Sequence, residues 1–237
     1  MENTPYLYET LLRVLGQQAK WLDLRHRTTV AWMMRGLMGS KTVRLGAWTP
    51  CVVRRAQEAH SVGRRLSRWL EKNRRKVEPL SGPLIAKAFV GWMGKRVSVA
   101  LETSMWWNTS GLIRLSVISR GRAVPLGWRV IAHSSAMVSC ATYKALLEEA
   151  KTRLPLACVV GCLADRGFAE TQLMRHLKGL GWHWRLRITS NFWLHPSHWA
   201  SCQVGEIALQ PGHLRCWQGV SMTDKRFGPV HLAMARP

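Results

Sequence analysis

At 237 residues and 47% apolar composition, the chain can bury a sizeable core, which excludes a disordered basic tail. Its 35 Lys and Arg against 13 Asp and Glu give a formal charge of +22, a surplus that repels itself unless a polyanion neutralises it. Nucleic acid is the natural partner, because phosphate contacts release condensed counterions, whereas no apolar run reaches the roughly 18 residues of a membrane span.

The opening MENTPYLYET shows no secretory signal. Six scattered cysteines follow no framework spacing and fit a reduced cytoplasm. From residue 7 to 78 the period is helical. LLRVLGQQAKWLDL carries Leu12, Leu15, Ala19 and Leu22 at helix spacing, and TTVAWMMRGLMG and SVGRRLSRWLEKNRRKV repeat the idea. Thr28 and Ser61 read as N-caps, and Gly36, Gly39 and Gly46 as link positions. In the third segment Val62, Leu66, Trp69 and Leu70 share one face. Residues 54–76 hold nine basic residues against two acidic ones. A solvated helix face is the plain reading of such a run, but its single sign favours phosphate contact through Arg64, Arg65, Arg68, Lys72, Arg74, Arg75 and Lys76. The organisation expected is a basic helical DNA-binding domain over 1–80, divided from the rest near Pro79 to Pro83.

After Pro83 the period changes to two. RVSVALETSMWW alternates through Val97, Val99 and Leu101, with Glu102 on its other face. GLIRLSVISRGRAVPLGWRVIAH holds two further strands split by SRGRA, and TYKALLEEAKTRL is a helix closed by Pro155. The run 157–163 reads as a strand buried on both faces. AETQLMRHLKGLG is a second helix, and HWRLRIT alternates Trp184, Leu186 and Ile188 against Arg185 and Arg187. This order predicts an α/β fold: an RNase H-like mixed sheet with flanking helices over 95–188, preceded by the small all-helical domain. Residues 189–237 read as further strand-and-turn sequence.

Asp165, one of only three aspartates, stands at the mouth of the strand 157–163. If that strand pairs beside 97–103, Glu102 and Asp165 come close, since neighbouring strands lie about 4.8 Å apart. Two carboxylates there repel unless a cation lies between them, and hard divalent ions with oxygen ligands suit the place. The alternatives stay open: Asp165 as a cap for a helix starting near Ala169, and Glu102 as a solvent-facing strand residue.

LADRGF after a buried strand, then a helix and GWHWRLRI, resembles the DDE domain of insertion-sequence transposases of the insertion-sequence-four type. RGRAVPLGWRVI resembles that family's second and third strands, and SVGRRLSRWLEKNRRKV the end of its helical domain. The resemblance covers nearly the whole chain, and it makes residues 189–237, with GEIALQPGHLRCWQGVSMTDKRFGPVHLAMARP, the truncated start of that family's β-rich insertion. It implies an RNase H-like catalytic core (partial here) and dependence on Mg²⁺, with Mn²⁺ as a substitute. It also implies binding to double-stranded DNA at terminal inverted repeats and target sites, homo-oligomers on DNA, and transposition in a bacterial cytoplasm at the nucleoid. Asp165 matches the second catalytic aspartate, a metal ligand.

Two departures bear on activity. Glu102 stands where the family has its first aspartate, as catalytic residue and metal ligand, and its carboxylate is moved outward by one methylene. The family's third carboxylate lies on a helix after the β-rich insertion, and the chain stops at Pro237 before such a helix, so a truncated and inactive copy is expected. Glu206 and Asp224, the carboxylates downstream of Glu170, sit in strand-and-turn sequence and are not assigned that role. A non-catalytic DNA-binding protein occupying element ends is the alternative. His195, His198, Cys202 and Cys216 match no standard zinc spacing, and His133 follows the third strand without a definite role.

Overall fold

The computed structural model describes residues 4–18, 23–52, 59–71, 78–106, 109–132 and 139–236. The chain forms two compact units, Met1–Gly91 and Trp92–Pro237.

The first unit is helical: α1 (Thr4–Gln18), α2 (Leu24–Ser40), α3 (Leu45–Trp48), α4 (Ala59–Glu71) and α5 (Glu78–Ala88). Several boundaries differ from the sequence expectation. The cap of α2 is Asp23, whose carboxylate accepts the Arg25 backbone N–H at 2.7 Å. Thr28 lies one turn inside, its hydroxyl donating to the Leu24 carbonyl at 3.0 Å. Ser61 is likewise inside α4. The boundary expected at 79–83 falls within α5: Pro79 lies in the first turn, where backbone N–H groups have no helical acceptor, whereas Pro83 stands inside the helix and removes one of its hydrogen bonds. Among the expected core residues of α4, Val62 and Leu66 are buried, whereas Leu70 is 51% exposed at the stripe's edge.

Gly36 and Gly39 are not link positions. Both lie inside α2, against which the segment around α3 packs. A Cβ on Gly36 would stand 2.6 Å from the Trp48 Cβ, and one on Gly39 would stand 2.9 Å from the Cys51 Sγ. The Trp48 indole is buried and donates to the Thr42 carbonyl at 2.6 Å, so it is held at both ends. Gly36→Ala adds helix propensity worth about 1 kcal/mol, but overpacking of this kind costs about 1–3 kcal/mol. The variant is therefore expected to melt at a lower temperature in circular dichroism. A raised Tm would show that Trp48 moves aside freely.

The second unit opens with β1 (Arg96–Trp106), β2 (Ser110–Ser119), β3 (Arg122–Ala132), α6 (Cys140–Arg153), β4 (Val159–Ala164), α7 (Thr171–Gly179) and β5 (His183–Leu186). The five strands make one mixed sheet in the order β3-β2-β1-β4-β5, with β1, β2 and β3 antiparallel and β4 and β5 parallel to β1. The mixed α/β class read from the sequence is what the chain adopts. Arg120 and Gly121, both at positive φ (50° and 72°), make the two-residue turn between β2 and β3 and pair Ser119 with Arg122. A bulge then shifts the register between Ser116↔Pro125 and Leu115↔Gly127. The extra residue is Leu126, beside a proline that cannot donate to the ladder. Its carbonyl is taken by Arg153 of α6 at 2.7 Å, and Glu149 accepts from both Arg153 and Arg129, which ties the helix to the strand.

Helices α6 and α7 cover one face of the sheet, where Leu101, Leu115, Leu146, Leu147, Leu173 and Leu177 are fully buried. Tyr143 and Phe168 meet edge to face between them at 5.7 Å. The expectation that 157–163 is buried on both faces is corrected: Val160 and Cys162 are buried on the helix side, but Val159 is 42% exposed on the other. The Cys162 thiol, pushed up to about 12 by burial, is an apolar filler. Cys158 precedes the strand and donates its thiol to the Trp92 carbonyl. Residues beyond 188 form a second antiparallel sheet, order β7-β6-β8-β9, from β6 (Trp193–His195), β7 (Cys202–Gln203), β8 (Leu214–Met222) and β9 (Phe227–Ala235). Its core is Leu194, Val204, Ile207, Val220, Met222, Val230 and Leu232. No helix among the described residues is long and apolar enough to cross a membrane.

Candidate functional site

The parallel strands β4 and β5 end side by side while β1 runs on past them to Trp106, and a cleft of about 810 Å³ opens where β4 and β5 stop. Open α/β sheets place ligands at such ends, because the backbone connections diverge there. The ladder runs Ala100↔Leu163 and Leu101↔Ala164, so Glu102 and Asp165 are the next residues of adjacent strands. Both line the cleft, with Arg166, Arg185 and Arg187. The structure thus brings the two carboxylates picked out in the sequence into one open site.

Each carboxylate already has a cationic neighbour. Glu102 lies opposite Arg114 on β2, and their side chains form an ion pair at 2.5 Å. Asp165 Oδ1 accepts the Arg166 backbone N–H at 2.7 Å and stands 3.4 Å from an Arg187 guanidinium nitrogen. Asp165 is therefore a cap, as one reading held, but of the short 3-10 turn Arg166–Phe168 rather than of a helix at Ala169. Helix α7 starts later and takes Glu170 as its N-cap residue. The Asp165–Arg187 pair is 62% and 80% exposed, so it contributes at most about 1 kcal/mol and yields readily to a competing ligand.

The donor set suits Mg²⁺ in kind: two exposed carboxylates in an open cleft can hold one hydrated ion, which commonly binds through one or two carboxylates. It does not supply a second ion. Among the described residues no group of three or more His, Cys, Asp or Glu stands together as a metal set. Glu206 caps its own 3-10 turn, accepting the Gln203 backbone N–H at 2.8 Å, and Asp224 lies in the turn between β8 and β9. His195 engages Ser201 through Nδ1 at 2.7 Å and the Thr223 carbonyl through Nε2 at 2.9 Å.

Of the proposed DNA contacts, Arg64, Arg65 and Arg68 are exposed along α4, opposite buried Val62 and Leu66. Lys72, Arg74, Arg75 and Lys76 lie outside the described residues, as does His133. The partner the sequence reading missed is Arg114. A single cation within the apolar run GLIRLSV was its only signal, and pairing it with Glu102 needs the β1–β2 register. No known protein family and no curated protein matches the chain.

Proposed function

We propose that this chain is a DNA-binding protein of the DDE-transposase kind, built on an RNase H-like core and acting on double-stranded DNA at terminal inverted repeats and target sites. The observation that carries the reading is the cleft where β4 ends beside β1, lined by both Glu102 and Asp165 and by three arginines. The strand order β3-β2-β1-β4-β5 supports it, as does the +22 charge. In this reading Arg166, Arg185 and Arg187 hold backbone phosphates at the cleft, and Glu102 and Asp165 hold one Mg²⁺, or Mn²⁺ in its place. When bound, that ion would polarise a phosphodiester oxygen. The protein works at the bacterial nucleoid, as a homo-oligomer on DNA.

A second reading, a non-catalytic occupant of element ends, is favoured by the pairing of both carboxylates to arginines. Mg²⁺ titration followed by calorimetry tests the ion site apart from activity. The expected result is weak binding, abolished by Asp165→Ala, because the one carboxylate left, Glu102, is already paired to Arg114. Mg²⁺ binding that survives the substitution would place the ion elsewhere and remove the catalytic-site reading.

A further inference from the structure

The basic residues of the helical unit do not form an even stripe. Ser61, Arg64, Arg65 and Arg68 recur at the spacing of one helix face on α4, and they face Arg25, His26 and Thr29 on the first turns of α2. Between the two helices lies a cleft of about 910 Å³, floored by Trp69. Four guanidiniums and an imidazole therefore converge from segments some forty residues apart, although the run at 54–76 includes neither Arg25 nor His26.

Two aromatic contacts organise these donors. The Arg65 guanidinium lies over the Trp32 ring, 4.7 Å from its centre, a cation–π arrangement that limits its rotamers. His26 stands edge-on to Trp69 at 6.4 Å and 81°. The opposing charge in the cleft is Asp23, whose Oδ1 is committed to the Arg25 backbone N–H and whose Oδ2 lies 3.9 Å from His26. Among the described residues, one carboxylate against four arginines leaves the cleft strongly cationic. Guanidiniums held in place suit a tetrahedral oxyanion, which they bind through paired hydrogen bonds that an ammonium cannot copy.

We propose that the α2–α4 cleft is a built phosphate seat, in which Arg25, Arg65 and Arg68 grip one backbone phosphate of duplex DNA. This rests on the DNA-binding reading and adds to it: the module docks at a defined phosphate and not only through its general field. Arg25, outside the basic run, belongs to the seat. A general field depends on charge alone, so lysine serves as well as arginine; a seat depends on the fork, so lysine does not.

The test is duplex-DNA binding by the full chain, read by fluorescence anisotropy across a salt series, for wild type and for Arg25→Lys with Arg68→Lys. Both side chains are exposed, so the fold is expected to hold, and circular dichroism checks it. The expected result is a loss of about tenfold in affinity with the salt slope nearly unchanged, since charge is kept while paired hydrogen bonds are lost. Arg120→Lys at the β2–β3 turn is the control and should change nothing. Inorganic pyrophosphate distinguishes a free anion from a DNA phosphate: it should compete only at millimolar concentration and less well against the double variant. Tight pyrophosphate binding would make the cleft a small-anion site and overturn the proposal. Wild-type affinity in the double variant would overturn the seat while leaving DNA binding intact. Absence of DNA binding by the wild type would overturn both.

Discussion

Neutralising Arg64, Arg65, Arg68, Arg74 and Arg75 together is expected to flatten the salt dependence of duplex-DNA binding by about four units of log–log slope. Each phosphate neutralised on duplex DNA contributes about 0.9 to that slope through counterion release, so five lost contacts bring it close to that value. Between about 50 and 200 mM salt, a protein making six to ten such contacts loses roughly a thousandfold or more in affinity. The variant should lose far less over that range, having begun from weaker binding. Arg64, Arg65 and Arg68 project from a helix whose other face is anchored by Leu66, fully buried, so removing their charge disturbs packing only where Arg65 lies over the Trp32 ring. This differs from the lysine test of the α2–α4 cleft, which keeps charge and asks about shape. A slope unchanged by the five substitutions would take the helical unit out of the DNA interface.

What the sequence disclosed depended on how local the governing physics was. Alternation in RVSVALE and a two-residue turn at Arg120–Gly121 are local, and they sufficed to order β1, β2 and β3. An apolar run reached through a helix pointed to a parallel β4 beside β1, and hence to Glu102 and Asp165 at neighbouring positions. Features needing a partner from elsewhere were hidden. Gly36 resembles a loop residue until Trp48 is placed against it. Arg114 is an oddity in an apolar strand until the register sets it opposite Glu102. Competing local rules explain other differences. Thr28 and Asp23 both suit an N-cap, and the helix starts at the earlier one because Leu24 to Arg27 are all tolerated in a helix. Pro79 looked like a boundary but sits in a first turn, where no helical hydrogen bond is lost.

Residues 1–237 are expected to show no measurable DNA cleavage with Mg²⁺ or Mn²⁺, even under conditions where the proposed binding of DNA and ion is detected. Hydrolysis or strand transfer at a phosphodiester by the two-ion route needs attacking and leaving oxygens stabilised together by ions about 3.5–4 Å apart. Two carboxylates hold one such ion, and here each must first leave an arginine. Glu102→Asp alone should not produce activity. The shorter side chain withdraws from Arg114 and moves its oxygens by roughly 1 Å, a displacement that can change a rate by about a hundredfold, but it adds no third ligand. Glu102→Asp joined to a C-terminal segment carrying the third carboxylate of the resembled transposases should produce cleavage, and Asp165→Ala should then abolish it. The decisive measurement is nicking of a supercoiled plasmid by each protein over hours. Metal-dependent nicking by the unaltered chain, lost in Asp165→Ala, would overturn the claim and require another carboxylate at the cleft. Glu206 would first have to release the Gln203 N–H it caps, and Asp224 would have to reach the cleft from the turn between β8 and β9. Substituting each in turn would then show which one had moved.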